Sequence, residues 1–282
     1  MNRIAVVGSG QTGLSAAIQL ARRGVTTSLT ERLPCAGGQE PEHPLTDRLT
    51  EEAEGLGVEL RLATLAVSWN GRELTELGTD GWSRRPADGI VVATGSRPAT
   101  RAELGIEGDR CAGVLPGSAA VHLSESGVLL GHRPVIVGSG QLARHLAPLL
   151  FAGGAASVLV VTEKSSVTGF AEGVSVVPRS TVIAANGMPR INSVLLRGPG
   201  GTTRLAADAL LLAGGRVPMR NIEGAVYVGP TTEAPGVAEA FSAADPKTWE
   251  DAKQTATRAV GRLLDSVDSS TQRDRENERL NR

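Results

Sequence analysis

Residues 4–13 read Ile4-Ala5-Val6-Val7-Gly8-Ser9-Gly10-Gln11-Thr12-Gly13, an apolar run followed by glycines in the spacing Gly-x-Gly-x-x-Gly. The apolar run predicts a buried strand, and the apolar residues after Gly13 recur at the spacing of a helix. In such a unit Gly8 permits the tight turn, Gly10 lets a pyrophosphate approach the backbone, and Gly13 lets helix and strand pack closely. The stretch therefore predicts a strand, a turn and a helix whose N-terminus binds phosphate groups.

An acidic residue follows the next predicted strand. That strand covers Val25–Leu29, and Glu31 comes after it, about 20 residues beyond the glycines, where such a fingerprint places its acid. A carboxylate at this position accepts hydrogen bonds from ribose hydroxyls. We therefore assign a first dinucleotide site to the glycine turn and Glu31, and we add their neighbours Gln11, Thr12 and Arg32.

The same pattern recurs 130 residues later, where an apolar strand leads into Gly138-x-Gly140-x-x-Ala143. Alanine is allowed in the third position of the fingerprint. Glu163 ends the next predicted strand and favours a free 2′-hydroxyl, hence NAD(H) over NADP(H). Two alternatives remain open: the glycines serve helix packing alone, or the site holds an adenine nucleotide without a redox role. The repeat predicts two related domains.

Turn signals separate short β-like pieces in residues 63–88, at Trp69-Asn70-Gly71-Arg72 and Thr79-Asp80-Gly81-Trp82. They predict a small antiparallel meander. Together with the strand–helix alternation, this indicates an α/β fold with two Rossmann-like three-layer dinucleotide-binding domains and small antiparallel β-meanders.

Composition excludes several other functions. The 29 basic and 30 acidic residues give a net charge of −1, so no basic surplus indicates a nucleic acid partner. No apolar run reaches the ~20 residues that span a bilayer. The two cysteines, Cys35 and Cys111, lack the spacing of a metal site. Because Met1-Asn2-Arg3 leads directly into a strand, we expect no secretory signal, no metal and a cytoplasmic, reducing location.

Four passages resemble the flavoproteins with two dinucleotide-binding domains, of the pyridine nucleotide–disulfide oxidoreductase type. They are residues 4–13 with Glu31, the segment Ala93-Thr94-Gly95-Ser96-Arg97-Pro98, residues 138–143, and residues 211–218. The resemblance implies FAD on the first turn, Glu31, Ala93, Thr94 and Gly95. It implies NAD(H) or another adenine nucleotide on Gly138, Gly140, Gln141, Ala143 and Glu163.

The resemblance also implies domain limits. The FAD-binding domain is expected at residues 1–100 and 211–265, with the NAD-binding-like domain, 101–210, inserted in it. A helix is predicted for about 248–264, and the polar residues 266–282 are expected to form an exposed tail.

The segment Pro34-Cys35-Ala36-Gly37-Gly38-Gln39 carries a finer resemblance. It is similar to thioredoxin-reductase-like proteins and to the flavoprotein subunits of hydrogen cyanide synthase, opine oxidase and heteromeric proline or hydroxyproline dehydrogenases. There the glycines run beside the flavin and pyrophosphate, which implies that Gly38 and Gln39 contact FAD. A plain surface turn is the alternative.

Two departures from the family bear on function. The CxxC or CxxxxC pair of its disulfide reductases is absent, so thiol–disulfide exchange is not expected. Cys35 is expected to be a buried, inert thiol, with a position near the flavin as the alternative. The ribityl-binding Gly-Asp pair is altered. With three residues inserted, Asp245 takes the place of its carboxylate, and without the insertion the pair falls on Phe241-Ser242.

Three functions follow from the resemblance. The first is an FAD-dependent oxidoreductase acting as the flavoprotein subunit of a heteromeric amino-acid or amine dehydrogenase or oxidase. A second flavoprotein subunit would then oxidise the amine or amino acid. The second is a free-standing NAD(P)H-dependent flavin reductase. The third is a non-catalytic nucleotide-binding subunit with a degraded flavin site.

Overall fold

The computed structural model describes residues 2–38, 44–219, 236–240 and 249–280. The chain leaves its first unit after Ser96 and returns to it at Pro218, so unit 1 comprises Met1–Ser96 with Pro218–Arg282 and unit 2 comprises Arg97–Val217. The glycine turn at Gly8 lies in unit 1, and the turn at Gly138 lies in unit 2.

A parallel sheet in the order β19-β7-β1-β2-β3 forms the middle of unit 1. Its strands are β1 (Arg3–Val7), β2 (Thr26–Thr30), β3 (Glu59–Arg61), β7 (Gly89–Val92) and β19 (Val237–Glu239). The helices of the unit are α1 (Gln11–Arg22), α2 (Pro44–Gly55) and α5 (Trp249–Leu280). An antiparallel meander consists of β4 (Leu65–Trp69), β5 (Glu73–Gly78) and β6 (Gly81–Pro86).

Both faces of the parallel sheet in unit 1 are covered. Because successive side chains of a strand point to opposite faces, Ile4 and Val6 of β1 pack with the helices, whereas Ala5 and Val7 pack with Leu74 of the meander. The unit therefore has three layers, and the meander predicted in residues 63–88 is confirmed.

Unit 2 repeats this architecture. Its parallel sheet has the order β10-β17-β11-β12-β13, with helices packed on one face and a mostly antiparallel sheet, β16-β15-β14-β9, on the other. The elements are β9 (Glu107–Gly108), β10 (Val114–Pro116), α3 (Gly117–Glu125), β11 (Pro134–Val137), α4 (Gln141–Ala152), β12 (Val158–Val161), β13 (Val174–Val177), β14 (Thr181–Asn186), β15 (Ser193–Gly198), β16 (Gly201–Ala206) and β17 (Ala209–Leu212). The predicted fold class is confirmed.

The unit limits differ from the expected limits by a few residues. Leu211 and Leu212, expected in the first domain, belong to β17, which pairs in parallel with β11 of unit 2. The two connecting segments, β8 (Ser96–Pro98) and β18 (Arg216–Pro218), pair as a two-stranded ribbon.

Helix α5 is longer than predicted. Residues 266–282, expected to form an exposed polar tail, begin as a continuation of this helix, which runs to Leu280. Residues 266–280 contain no Gly or Pro, which removes the usual helix breakers, and Val267 is buried in the core of unit 1. Although α5 has 32 residues, none of the described helices combines the length and apolar character needed to cross a bilayer.

The burial of Val267 can be tested by substitution. Val267→Asp places an unpaired charge in the core of unit 1 and is expected to lower the free energy of unfolding by at least about 2 kcal/mol. Ser269→Asp, on the exposed side of the same helix, is expected to change it by less than about 0.5 kcal/mol. Urea unfolding followed by circular dichroism measures both, and equal stability of the two variants would show that this turn is not packed.

Candidate functional site

The three glycines of the first turn have different surroundings. Gly8 has φ +100°, and a Cβ there would lie 2.5 Å from the carbonyl oxygen of Ala93. A Cβ on Gly13 would lie 1.9 Å from the Gly8 oxygen, whereas one on Gly10 would meet no described atom within 4 Å. Packing thus requires glycine at positions 8 and 13, while Gly10 leaves open space from which a ligand can approach the backbone.

Helix α1 begins beside this open space. Gly10 is its N-cap and contributes no side-chain cap, so the first-turn N–H groups of Gln11, Thr12 and Gly13 form the positive end of the helix dipole. This is the geometry of a helix terminus that can bind an anion.

Glu31 lies against the glycine turn. Its carboxylate is buried, and Oε2 accepts hydrogen bonds from the backbone N–H and the hydroxyl of Ser9, both at 2.9 Å. Oε1 accepts a bond of 3.0 Å from the Leu33 N–H. Since each carboxylate oxygen has further lone pairs, Glu31 can still accept ribose hydroxyls. The neighbouring Arg32 is exposed.

Ser9 is a site residue that the sequence analysis did not single out. Besides holding Glu31, its carbonyl and hydroxyl oxygens both accept from the Gly37 N–H at 3.1 Å. This bond brings the loop after Glu31 onto the turn, where a Cβ on Gly38 would lie 3.4 Å from the Gly10 Cα. The recurrence of the serine as Ser139 in the second motif is the sequence signal that could have identified it.

The predicted segment after β7 also reaches the turn. The Ala93 N–H donates to the Val7 oxygen, and the Ala93 carbonyl lies beneath Gly8. Thr94 donates its hydroxyl hydrogen to the Met219 carbonyl, and Gly95 has φ +74°. The other two predicted FAD contacts, Gln39 and Asp245, lie outside the described residues.

The second glycine turn has the same backbone geometry. Gly138 has φ +102°, and a Cβ there would lie 2.4 Å from the Cα of Gly214. Gly140 is the N-cap of α4, which begins at Gln141, and Ala143 is fully buried in the helix–sheet core. Gly214, which permits this close contact, was not predicted as a site residue.

At the second turn a neutral pair of side chains, Ser139 and Thr162, takes the place of Ser9 and Glu31 at the first turn. In unit 1 the Gly8 N–H donates to the backbone carbonyl of Thr30. In unit 2 the Gly138 N–H donates to the backbone carbonyl of Val161. The residue equivalent to Glu31 is therefore Thr162, whose hydroxyl lies 3.0 Å from the Ser139 hydroxyl. Glu163, predicted as the ribose acceptor, lies one residue further along and is exposed.

The cysteines do not form a disulfide. Cys111 is buried in unit 2, whereas Cys35 is exposed in unit 1, so the expectation that Cys35 is buried is wrong. Pro34 and Cys35 are exposed, whereas Gly37 further along the same segment is buried, so the Cys35 thiol is accessible.

Comparisons with known proteins agree with this geometry. Residues 1–119 match the model of the pyridine nucleotide-disulphide oxidoreductase family. The beta subunit of an NADP(+)-dependent formate dehydrogenase from Moorella thermoacetica is 29% identical over 171 residues, which are 58% of this chain and 24% of that protein. The chain thus spans about a quarter of that relative's length.

Solved structures share the fold at low identity. A pyridine nucleotide-disulfide family oxidoreductase from Enterococcus faecalis V583 is 16% identical with a TM-score of 0.66, over 93% of this chain and 69% of that one. Lactococcus lactis thioredoxin reductase is 19% identical with a TM-score of 0.60, over 95% of this chain and all of that one.

The different surroundings of the glycines predict different effects on stability. Gly13→Ala forces the turn apart and is expected to lower the free energy of unfolding by about 1–3 kcal/mol. Gly10→Ala meets open space at φ −62° and is expected to leave stability unchanged or raise it by up to about 1 kcal/mol. Urea unfolding of both variants checks this, and an equal loss in both would contradict the packing described.

Proposed function

We propose that the chain is an FAD-dependent oxidoreductase that serves as the flavoprotein subunit of a heteromeric dehydrogenase or oxidase. The observation that carries this proposal is the first turn, where the open space at Gly10 and the N-terminus of α1 lie next to the buried carboxylate of Glu31. An anion-binding helix terminus beside a ribose acceptor is what an adenine dinucleotide requires.

The described residues fit the ADP half of FAD. In this proposal the N–H groups at the start of α1 bind the pyrophosphate, Glu31 binds the adenosine ribose, and the Gly38 and Ala93–Gly95 segments border the cofactor. FAD, when bound, supplies the two-electron chemistry, and the protein supplies binding and orientation. The flavin-side roles of Gln39 and Asp245 belong to the same proposal.

Two observations support a subunit role. The two cysteines are free, and they lack the CxxC or CxxxxC spacing of the thiol pair used in disulfide exchange. The relative from Moorella thermoacetica is itself named as a subunit of a dehydrogenase. We infer that a second flavoprotein subunit oxidises the substrate, an amine or amino acid, and passes electrons to the flavin of this chain.

Unit 2 supports an alternative function, a free-standing NAD(P)H-dependent flavin reductase. The backbone of its turn is intact around Gly138 and Gly140. Its buried acceptor is the neutral Thr162, and the exposed carboxylate of Glu163 opposes a 2′-phosphate, so NAD(H) or another adenine nucleotide is the ligand that this site favours. Domain roles follow: FAD in unit 1 and the second nucleotide in unit 2.

Gly10→Ala tests the first site. The added methyl group occupies the space from which the pyrophosphate approaches, so the variant is expected to bind FAD at least about tenfold more weakly, equivalent to about 1.4 kcal/mol. Gly55→Ala, also a glycine in open space but in α2, is the matched control and is expected to bind as the wild type does. Titration of the apoprotein with FAD by flavin fluorescence measures both. A wild-type chain that binds no FAD would overturn the proposed function.

An anaerobic spectrum distinguishes the subunit from the free-standing reductase. In a subunit that accepts electrons from a partner, NADH alone is expected to leave the flavin absorbance unchanged. Rapid bleaching by NADH without any partner would instead establish the reductase. The ratio of NADH affinity to NADPH affinity is then measured for the wild type and for Glu163→Arg. A change in this ratio shows that the exposed carboxylate selects between the two nucleotides.

A further inference from the structure

A buried carboxylate in unit 1 has no place in the function proposed so far. Glu76 lies on β5, the middle strand of the meander, and its side chain is fully buried on the face that packs against the parallel sheet. Its neighbour on the same face of β5 is Leu74, a core residue. An ionised group in such a position costs several kcal/mol of desolvation unless partners compensate, so its contacts need an explanation.

Glu76 joins the ends of two strands. Its Oε1 accepts a hydrogen bond from the Thr30 hydroxyl, at the last residue of β2. Its Oε2 lies 2.9 Å from Nε of Arg61, the last residue of β3, as an ion pair rather than an aligned hydrogen bond. The carboxylate therefore holds together the carboxyl ends of β2 and β3.

Glu31 is attached to both of these residues. It follows Thr30 directly, and its N–H donates to the Arg61 carbonyl at 2.9 Å. Its own carbonyl accepts from the Thr64 N–H at 2.8 Å, just beyond β3. The position of Glu31 is thus set by the two residues that the Glu76 side chain connects.

Unit 2 provides an internal comparison. The strand pair Val161–Val177 of unit 2 corresponds to the strand pair Thr30–Arg61 of unit 1. The Thr162 N–H donates to the Val177 carbonyl, just as the Glu31 N–H donates to the Arg61 carbonyl. The β15–β16 hairpin closes at Gly198 and Gly201 as the β5–β6 hairpin closes at Gly78 and Gly81. The residue two positions before the closing pair is Leu196 in unit 2 and Glu76 in unit 1.

All three members of the cluster thus have apolar counterparts in unit 2. Thr30, Arg61 and Glu76 correspond to Val161, Val177 and Leu196. The same architecture is therefore built without buried charge in the unit where the nucleotide acceptor is the neutral Thr162. The charged cluster occurs in the unit whose acceptor is a carboxylate and not in the other unit, so this architecture does not itself require it.

We propose that Glu76, with Thr30 and Arg61, is a positioning device that fixes the Glu31 carboxylate for the adenosine ribose of the nucleotide bound to unit 1. This inference rests on the proposed FAD site. Glu76 acts through Glu31 and does not touch the nucleotide. Its removal lowers affinity by letting the end of β2 and the residue after it move relative to the glycine turn.

The experiment compares FAD affinity in the full-length chain. Glu76→Gln keeps an acceptor for Thr30 but loses the ion pair, and it is expected to weaken FAD binding about tenfold. Glu73→Gln, on the same strand but on its other face, is the matched control and is expected to bind normally. The triple variant Thr30→Val, Arg61→Val, Glu76→Leu installs the set found in unit 2 and is expected to fold with unchanged or higher thermal stability and weak FAD binding.

A double-mutant cycle separates positioning from a structural effect. In the Glu31→Gln background, Glu76→Gln is expected to have little further effect on FAD affinity, because the group through which it acts has been replaced. Independent, multiplicative losses in the double variant would overturn the proposal, as would normal FAD binding by Glu76→Gln. If the wild-type chain itself binds no FAD, the proposed function fails, whereas normal wild-type binding with unaffected Glu76 variants defeats only the positioning role.

Discussion

The structure depends on a contact between two stretches of backbone. In unit 1 the glycine turn at Gly8 rests on the carbonyl of Ala93, and in unit 2 the turn at Gly138 rests on Gly214. No side chain fits between these segments, so the turn lies directly over the ends of the central strands. The following helix then packs on the sheet with its N-terminus at the carboxyl edge of the strands. The site is therefore a consequence of how closely these backbones approach.

Features set by local sequence could be predicted. The glycine spacing and the apolar run before it involve only adjacent residues, and they predicted both glycine turns and a carboxylate, Glu31, close to the first of them. The meander followed from its turn residues. The end of α5 was missed because residues 266–280 carry little apolar character, and the burial of Val267 depends on packing against the rest of unit 1.

Features set by pairing between distant strands could not be predicted. Glu163 was predicted as the ribose acceptor because it is the acidic residue that follows the strand. In the structure, the Gly138 N–H donates to the Val161 carbonyl, as the Gly8 N–H donates to the Thr30 carbonyl. Thr162 is therefore the equivalent of Glu31. Moving the assignment by one residue, from Glu163 to Thr162, replaces a charged acceptor by a neutral one. Glu76 was missed for a similar reason: an acidic residue in a predicted meander is expected on its exposed face.

The two units place different polar groups on the same fold. Their sheets, helices and glycine turns correspond, yet unit 1 places charged groups at the end of its second strand where unit 2 places apolar and neutral ones. A buried carboxylate held by several donors is a strong and rigid acceptor for hydroxyl groups, whereas a hydroxyl pair is a weaker one. In the proposed function, this difference suits a cofactor that stays bound in unit 1 and a nucleotide that exchanges in unit 2. It follows that the buried charges of unit 1 are better explained by binding than by folding, since unit 2 folds the same way without them.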